Sequence, residues 1–307
     1  MGALDINTLI ERTEDWILPE LENIFDGNEA EDITVKAALY SLYAGGKRLR
    51  PLMMYLTADM FKLDFDIDAD VKYFAATLEM LHTYSLIHDD LPALDNDDLR
   101  RGKPTCHKAY GEGIAVLAGD LLLNKAMERL FAICERTPGY IYAASAMAEN
   151  AGIKGMLGGQ SIDIASEEKE ISLELLTELQ EKKTGAFIEA AVVTPYYLSK
   201  HMRRSESIKD ETANDLRKLA SHIGLAFQIK DDILDVISDS EILGKSTGKD
   251  ARDSKATFVT LLGLDGAKKR LEDESDCIKV ILDKFDTNGY DTSDYRTLAD
   301  FLVNRDR

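Results

Sequence analysis

Residues 71–102 read VKYFAATLEMLHTYSLIHDDLPALDNDDLRRG, and this stretch decides the fold. Apolar residues at Phe74, Leu78, Leu81 and Ile87 return to one side of the chain every three or four positions, the period of an amphipathic helix. The helix predicted over Val71 to Leu91 ends in carboxylates: Asp89 and Asp90, then Asp95. A second predicted helix, Leu216 to Val236, repeats the pattern at Leu216, Leu219, Ile223, Phe227 and Leu234 and ends in QIKDDILD, with Asp231, Asp232 and Asp235.

Helical geometry orders these carboxylates. Asp231 and Asp235 are one turn apart on one face, Asp232 points about 100° away, and Phe227 lies one turn before Asp231 over an apolar wall. Asp89 and Asp95 break this spacing, because Pro92 and Ala93 stand between them. Proline removes a helical hydrogen bond, so the pair reads as an insertion absorbed by a bulge or loosened turn that lets Asp89 and Asp95 converge. Hard divalent cations take oxygen ligands, and Mg²⁺ keeps water and substrate phosphate in its shell. Two such Asp rows suggest a diphosphate bridged by Mg²⁺, whereas one isolated row could equally be a solvated acidic face.

The chain has 307 residues, 45% of them hydrophobic, with a formal net charge of -19. That charge excludes nucleic acid as a partner, since binding its phosphates needs Lys and Arg. An anionic substrate requires metal and a few placed cations to reverse the local field. Cys106, Cys134 and Cys277 form no CxxC, so neither a zinc site nor a disulfide framework is expected, and a reducing cytoplasm is the simplest compartment. The N-terminus carries Asp5, Glu11 and Glu14 where a signal peptide is basic and then apolar, and Ile6 stands where a myristoylation motif has Ser or Thr. The most apolar run, Ile114 to Leu123, is too short to span a bilayer, so no membrane insertion is expected.

Elsewhere the helical period recurs and alternating β-branched patterns are scarce, which predicts an all-α single domain over residues 1–307. Polar connectors are expected at Lys62 to Asp70, Glu135 to Tyr140, His201 to Thr212, Ser238 to Thr257 and Asp286 to Asp294. Three cations, Lys47, Arg48 and Arg50, follow the Gly45-Gly46 pair, which allows backbone to approach a ligand closely. Of these, Lys47 and Arg50 read as ligand contacts and Arg48 as an exposed or structural cation. His82 lies two turns before Asp89 on nearly the same face, whereas His88 and His107 read as structural or supporting residues. Gly158 and Gly159 admit a close helix crossing, and Gln160 and Asp163 beside them are candidates to line a pocket.

Six segments in order, GGKRLRP (45–51), EMLHTYSLIHDDLPALDNDDLRRGKPTCH (79–107), GMLGGQSID (155–163), KKTGAFIEA (182–190), FQIKDDILD (227–235) and LGKSTGKD (243–250), resemble the trans-isoprenyl diphosphate synthases, most closely the bacterial farnesyl diphosphate synthases. The resemblance implies an isoprenoid-synthase helical bundle around a central cavity, normally a homodimer. It implies head-to-tail condensation of an allylic diphosphate (dimethylallyl or geranyl) with isopentenyl diphosphate, with three Mg²⁺ ions on the allylic diphosphate. Asp89, Asp95 and Asp231 would be the principal metal ligands, with Asp90, Asp232 and Asp235 nearby or acting through water. Arg100, Lys183 and Lys245, assisted by Thr184 and Gln228, would hold the allylic diphosphate; Gly45, Lys47, Arg50, His82 and Arg101 would hold the metal-free isopentenyl diphosphate.

The same resemblance assigns product length to Tyr84 and Ser85, the fifth and fourth positions before Asp89. A bulky aromatic at the fifth position together with the Pro92-Ala93 insertion implies C15 product; a C20 geranylgeranyl product is the alternative. A class I terpene cyclase is disfavoured by DDILD and by the GGKRLRP segment, and a non-catalytic subunit of a heterodimer by the intact motifs. The segment from Ser238 to Thr257, with Lys245 and Lys249, reads as a lid. Lys249, Asp250 and Lys255 receive no assignment, and Lys230, where the family more often has Gln, is expected to point away from the metals.

Overall fold

The computed structural model describes residues 3–25, 27, 29–167, 169–242 and 256–305. Helices follow one another as α1 (Ile6–Glu22), α2 (Ile33–Leu42), α3 (Leu49–Met60), α4 (Phe65–Asp89), α5 (Cys106–Tyr110), α6 (Glu112–Arg136), α7 (Ile141–Ala151), α8 (Met156–Ser166), α9 (Leu173–Gln180), α10 (Ala186–Lys200), α11 (Arg204–Ser207), α12 (Glu211–Ile242), α13 (Phe258–Thr287) and α14 (Ser293–Asn304). The expected all-α class is what the chain adopts. The described strands are a two-residue pair, β1 (Leu99–Arg100) and β2 (Lys103–Pro104), antiparallel with Leu99 opposite Pro104.

The chain packs as two compact units. The first comprises Asn7–Ala148 with Val193–Ser207, and the second Met1–Ile6, Glu149–Val192 and Ile208–Arg307. In the first, α4 packs against α3 and α6. Phe74, Ala75, Leu78 and Leu81 of α4 are fully buried, as their period requires. Full burial of a side chain such as Phe74 contributes about 1.5–3 kcal/mol relative to exposure.

Two boundaries of α4 differ from the sequence reading, for local reasons. The helix starts at Phe65, inside the expected connector, because the Asp64 carboxylate caps it by accepting from the Ile67 amide at 3.1 Å. It ends at Asp89 with Asp90 as its cap, so Pro92 follows the helix instead of kinking it. In the second unit α12 packs along α13, and α8 lies against a single π-turn, Glu181–Gly185, that joins α9 to α10. Thr257 opens α13 with a reciprocal capping pair to Thr260.

Candidate active site

Pro92 and Ala93 are taken up in a tight turn. The Asp95 amide donates to the Asp89 carbonyl at 2.9 Å, and the Asn96 amide to the Leu91 carbonyl at 3.1 Å. The six-residue spacing thus closes at the backbone, which brings the main chains of Asp89 and Asp95 together. Asp90 faces elsewhere: it is buried, and Arg100 donates to its two oxygens from Nε and Nη2 at 2.6–2.9 Å. Burial pushes the Asp90 carboxyl above its ordinary value, and the Arg100 guanidinium opposes that shift. Arg100 is therefore aimed by Asp90, on the strand of a hairpin whose two central residues, Arg101 and Gly102, both have positive φ, 53° and 73°.

That turn carries Arg101 back to the glycine loop. A Cβ on Gly46 would lie 2.5 Å from the Arg101 guanidinium carbon and displace it, and Gly46 has φ 119°, a conformation side-chain-bearing residues rarely adopt. Next to them Arg50 Nη1 donates to His82 Nε2 at 3.2 Å. Arginine only donates, so this nitrogen accepts and the imidazole is neutral. Burial first, then the charges of Arg50, Arg101, Arg100 and Arg48, holds the His82 pKa well below its ordinary value. Burial also lowers Arg50 to about 10. The buried acid beside them, Glu79, is 2.7 Å from Arg48, which also donates to the Leu42 carbonyl at 2.6 Å. Arg48 is thus a half-buried structural cation, one of the two roles expected of it. Three guanidiniums around one already engaged carboxylate leave an excess of positive charge, and the Arg50 Nε is a buried donor with no partner among the described residues. The cluster demands an anion. Lys47 is exposed on the same loop, beside Gly45, which has φ 96°.

In the second unit, Asp232 is the buried member of its row. It accepts from Gln228 Nε2 at 3.2 Å and from the Phe258 amide at 2.8 Å, tying α12 to the start of α13. Burial pushes its carboxyl up to about 6, against the pull of those hydrogen bonds. Asp231 is half-buried and Asp235 exposed. Gln228 also accepts from Thr184 Oγ1 at 3.4 Å, so two of the expected diphosphate contacts touch. Lys183 Nζ is 2.7 Å from Asp163. Gly159 makes this possible: a Cβ there would lie 2.2 Å from the Lys183 amide nitrogen, so α8 and the π-turn touch through backbone. Asp163 therefore positions a diphosphate candidate, a role distinct from the pocket lining expected of it.

One residue of this cluster escaped the sequence reading. Arg305 Nη2 donates to Asp231 Oδ1 at 2.6 Å and to the Phe227 carbonyl at 3.0 Å, with its guanidinium 4.3 Å from the centre of the Phe227 ring. No motif flags it, because its partners lie more than seventy positions earlier. Lys245, Lys249, Asp250 and Lys255, and with them most of the expected lid, lie outside the described residues.

Among the described residues no three His, Cys, Asp or Glu side chains form a metal cage. Mg²⁺ does not need one, since it binds through one or two carboxylates and completes its shell with water and phosphate. The donor set is all carboxylate oxygen, and Asp231 already draws a cation onto itself in Arg305. The residues fit Mg²⁺ completed by substrate.

The family model described as Polyprenyl synthetase matches residues 31–288. A farnesyl diphosphate synthase of Haemophilus influenzae is 39% identical over 296 residues, 93% of each chain. A geranylgeranyl diphosphate synthase of Cyanophora paradoxa is 40% identical over 269 residues, 87% of this chain and 85% of its own. Among solved structures, a geranyltransferase of Helicobacter pylori complexed with magnesium and isoprenyl diphosphate superposes with a TM-score of 0.78 at 32% identity, covering 97% of this chain and 95% of its own. With motif order, helical architecture and full-length similarity in agreement, the chain belongs to the polyprenyl synthetase family.

Proposed function

We propose that the chain is a Mg²⁺-dependent prenyltransferase that condenses dimethylallyl and geranyl diphosphates with isopentenyl diphosphate to give farnesyl diphosphate. The observation that carries the reading is the anion-demanding cluster of Arg50, Arg101 and Gly46 around neutral His82, a cationic site whose buried carboxylate, Glu79, is already engaged by Arg48. It supplies what an isopentenyl diphosphate without metal needs, while the two Asp rows supply oxygen ligands for an allylic diphosphate with metal. Planar guanidinium groups suit phosphate bidentately.

When bound, Mg²⁺, three ions in this reading, would neutralise the allylic diphosphate and assist its departure. Asp89, Asp95 and Asp231 are assigned as direct ligands, and Asp235 as a partner at the exposed end of its row. Asp90 and Asp232 orient Arg100 and Gln228 from behind. Lys183, Thr184, Gln228, Arg100 and Lys245 hold the allylic diphosphate, and Lys47, Arg50 and Arg101 the other. Ionisation leaves a carbocation that water would quench, so apolar side chains such as Tyr84 must keep water from it. The isopentenyl double bond then attacks, and the C2 proton leaves to diphosphate, since no motif side chain is an obvious general base.

Tyr84, 7% exposed on α4 below Asp89, is assigned as the floor that stops the product at C15, with Ser85 beside it. The C20 reading is kept in view by the Cyanophora relative. Supplying isopentenyl diphosphate, Mg²⁺ and C5, C10 or C15 allylic starters tests both readings: C15 product is expected, C20 product replaces it, and no product from any starter defeats the enzyme reading. We also read the protein as a cytoplasmic homodimer. Leu117 and Phe131 of α6, 52% and 72% exposed and fourteen residues apart on nearly one face, support a subunit interface, and light scattering at micromolar concentration tests it.

A further inference from the structure

His88, one turn beyond Tyr84 on α4, is locked into a slot that the sequence prepares on another helix. Its Nε2 lies 3.1 Å from the Val116 carbonyl of α6; a carbonyl only accepts, so this nitrogen carries the proton and donates. The same nitrogen is 3.8 Å from Asp120. Between those two positions α6 has Gly119, where a Cβ would lie 2.1 Å from His88 Nε2, 2.4 Å from Cδ2 and 2.9 Å from Cε1. Any side chain at Gly119 would collide with the imidazole and displace it from this position. A glycine in the interior of a 25-residue helix weakens it, so the slot stands out as a local choice against helix stability.

The other side of the imidazole meets Tyr84. The two rings are 5.9 Å apart between centres and nearly perpendicular, at 79°, the edge-to-face geometry that aromatic quadrupoles favour. The position of the Tyr84 ring is thus referred through His88 to the backbone of α6. We propose that His88, seated over Gly119, is a positioning residue that sets product length by holding the Tyr84 ring in place. This rests on the reading of Tyr84 as the floor of the chain-length pocket. Without the imidazole, Tyr84 gains room to swing down one side, and the growing chain gains the length of a further isoprene unit.

The test is the C20 to C15 ratio with geranyl diphosphate, excess isopentenyl diphosphate and Mg²⁺, a ratio that a general loss of activity or stability does not move. Tyr84→Ala is expected to raise it at least tenfold and His88→Ala at least fivefold. Gly119→Ala is expected to raise it by displacing the ring, and His88→Phe, which keeps a ring in the slot, to hold it within twofold of the parent. In a Tyr84→Ala background, His88→Ala is expected to add nothing, because it acts through the missing ring. An unchanged ratio in both His88→Ala and Gly119→Ala, beside a raised one in Tyr84→Ala, overturns this inference and leaves the floor reading standing. An unchanged ratio in Tyr84→Ala overturns the floor reading itself. Equal C20 output from His88→Phe and His88→Ala, or a further increase in the double variant, also overturns the inference.

Discussion

At Arg50 the shape of the side chain matters as much as its charge. Its Nη1 is committed to His82 and its Nε is buried without a partner among the described residues, so one donor positions the fork and others remain to meet an anion. Lysine would keep the charge and lose the fork. Arg50→Lys is therefore expected to raise KM for isopentenyl diphosphate about 10- to 100-fold, the equivalent of one charge-assisted hydrogen bond, with KM for the allylic substrate little changed. Initial-rate kinetics with each substrate varied in turn checks this. Asp231→Asn is expected to lower kcat by about 10²–10³, in the range seen when one electrostatic stabiliser of a transition state is removed, with no recovery in excess Mg²⁺. The metal-ligand candidates were legible as residues, yet their division of labour was not. Adjacent aspartates look alike in sequence, while the structure gives Asp90 to Arg100 and Asp232 to Gln228 and Phe258.

Among the elements, the π-turn Glu181–Gly185 does the most to arrange the second unit. A π-turn inserts one residue into the helical ladder, which turns Lys183 toward Asp163 and Thr184 toward Gln228. Glycines at its contacts make the insertion possible, since a Cβ on Gly224 would come within 3.2 Å of the Gly185 Cα and one on Gly159 far closer to Lys183. Gly159→Ala must push backbone from backbone, so it is expected to destabilise by about 1–3 kcal/mol or more. It is also expected to lower kcat/KM for the allylic substrate at least tenfold by displacing Lys183. Thermal melting with steady-state kinetics checks both, and retention of full kcat/KM despite a lowered Tm would detach Lys183 from this crossing. The glycine pair was visible in GMLGGQSID, but its partner was not, because backbone contact between distant segments leaves no periodic signal. The turn after α4 shows the reverse case. Pro92 sits so close to the residues it affects that the backbone closure from Asp89 to Asp95 followed from sequence, although both ends of α4 were misplaced.

For the molecule as a whole, His82 makes stability depend on pH. Its folded pKa lies well below the ordinary value of about 6.5, so on acidification the unfolded chain takes a proton that the folded ring refuses. Stability is intact above that value and is lost as pH falls through it toward the folded pKa. Between pH 7.5 and 5.5 the loss approaches about 1.4 kcal/mol if the folded ring stays neutral, and somewhat less because the side chain is only partly shielded. His82→Gln, which retains an acceptor for Arg50, is expected to flatten this dependence by about 1 kcal/mol in urea titrations at the two pH values; an unaltered slope would place the acid sensitivity elsewhere. Composition, helical period and the order of six motifs determined by themselves that the chain is helical, that it handles diphosphates, and which residues are candidates to do so. Those properties are local or additive, so they survive reading one position at a time. Tertiary structure alone decided which donor each carboxylate meets, that His82 is neutral, that Arg305 reaches Asp231, and that Gly119 seats His88 against Tyr84. Each of these depends on burial and on contacts between residues distant in the chain, and neither is encoded in spacing along it.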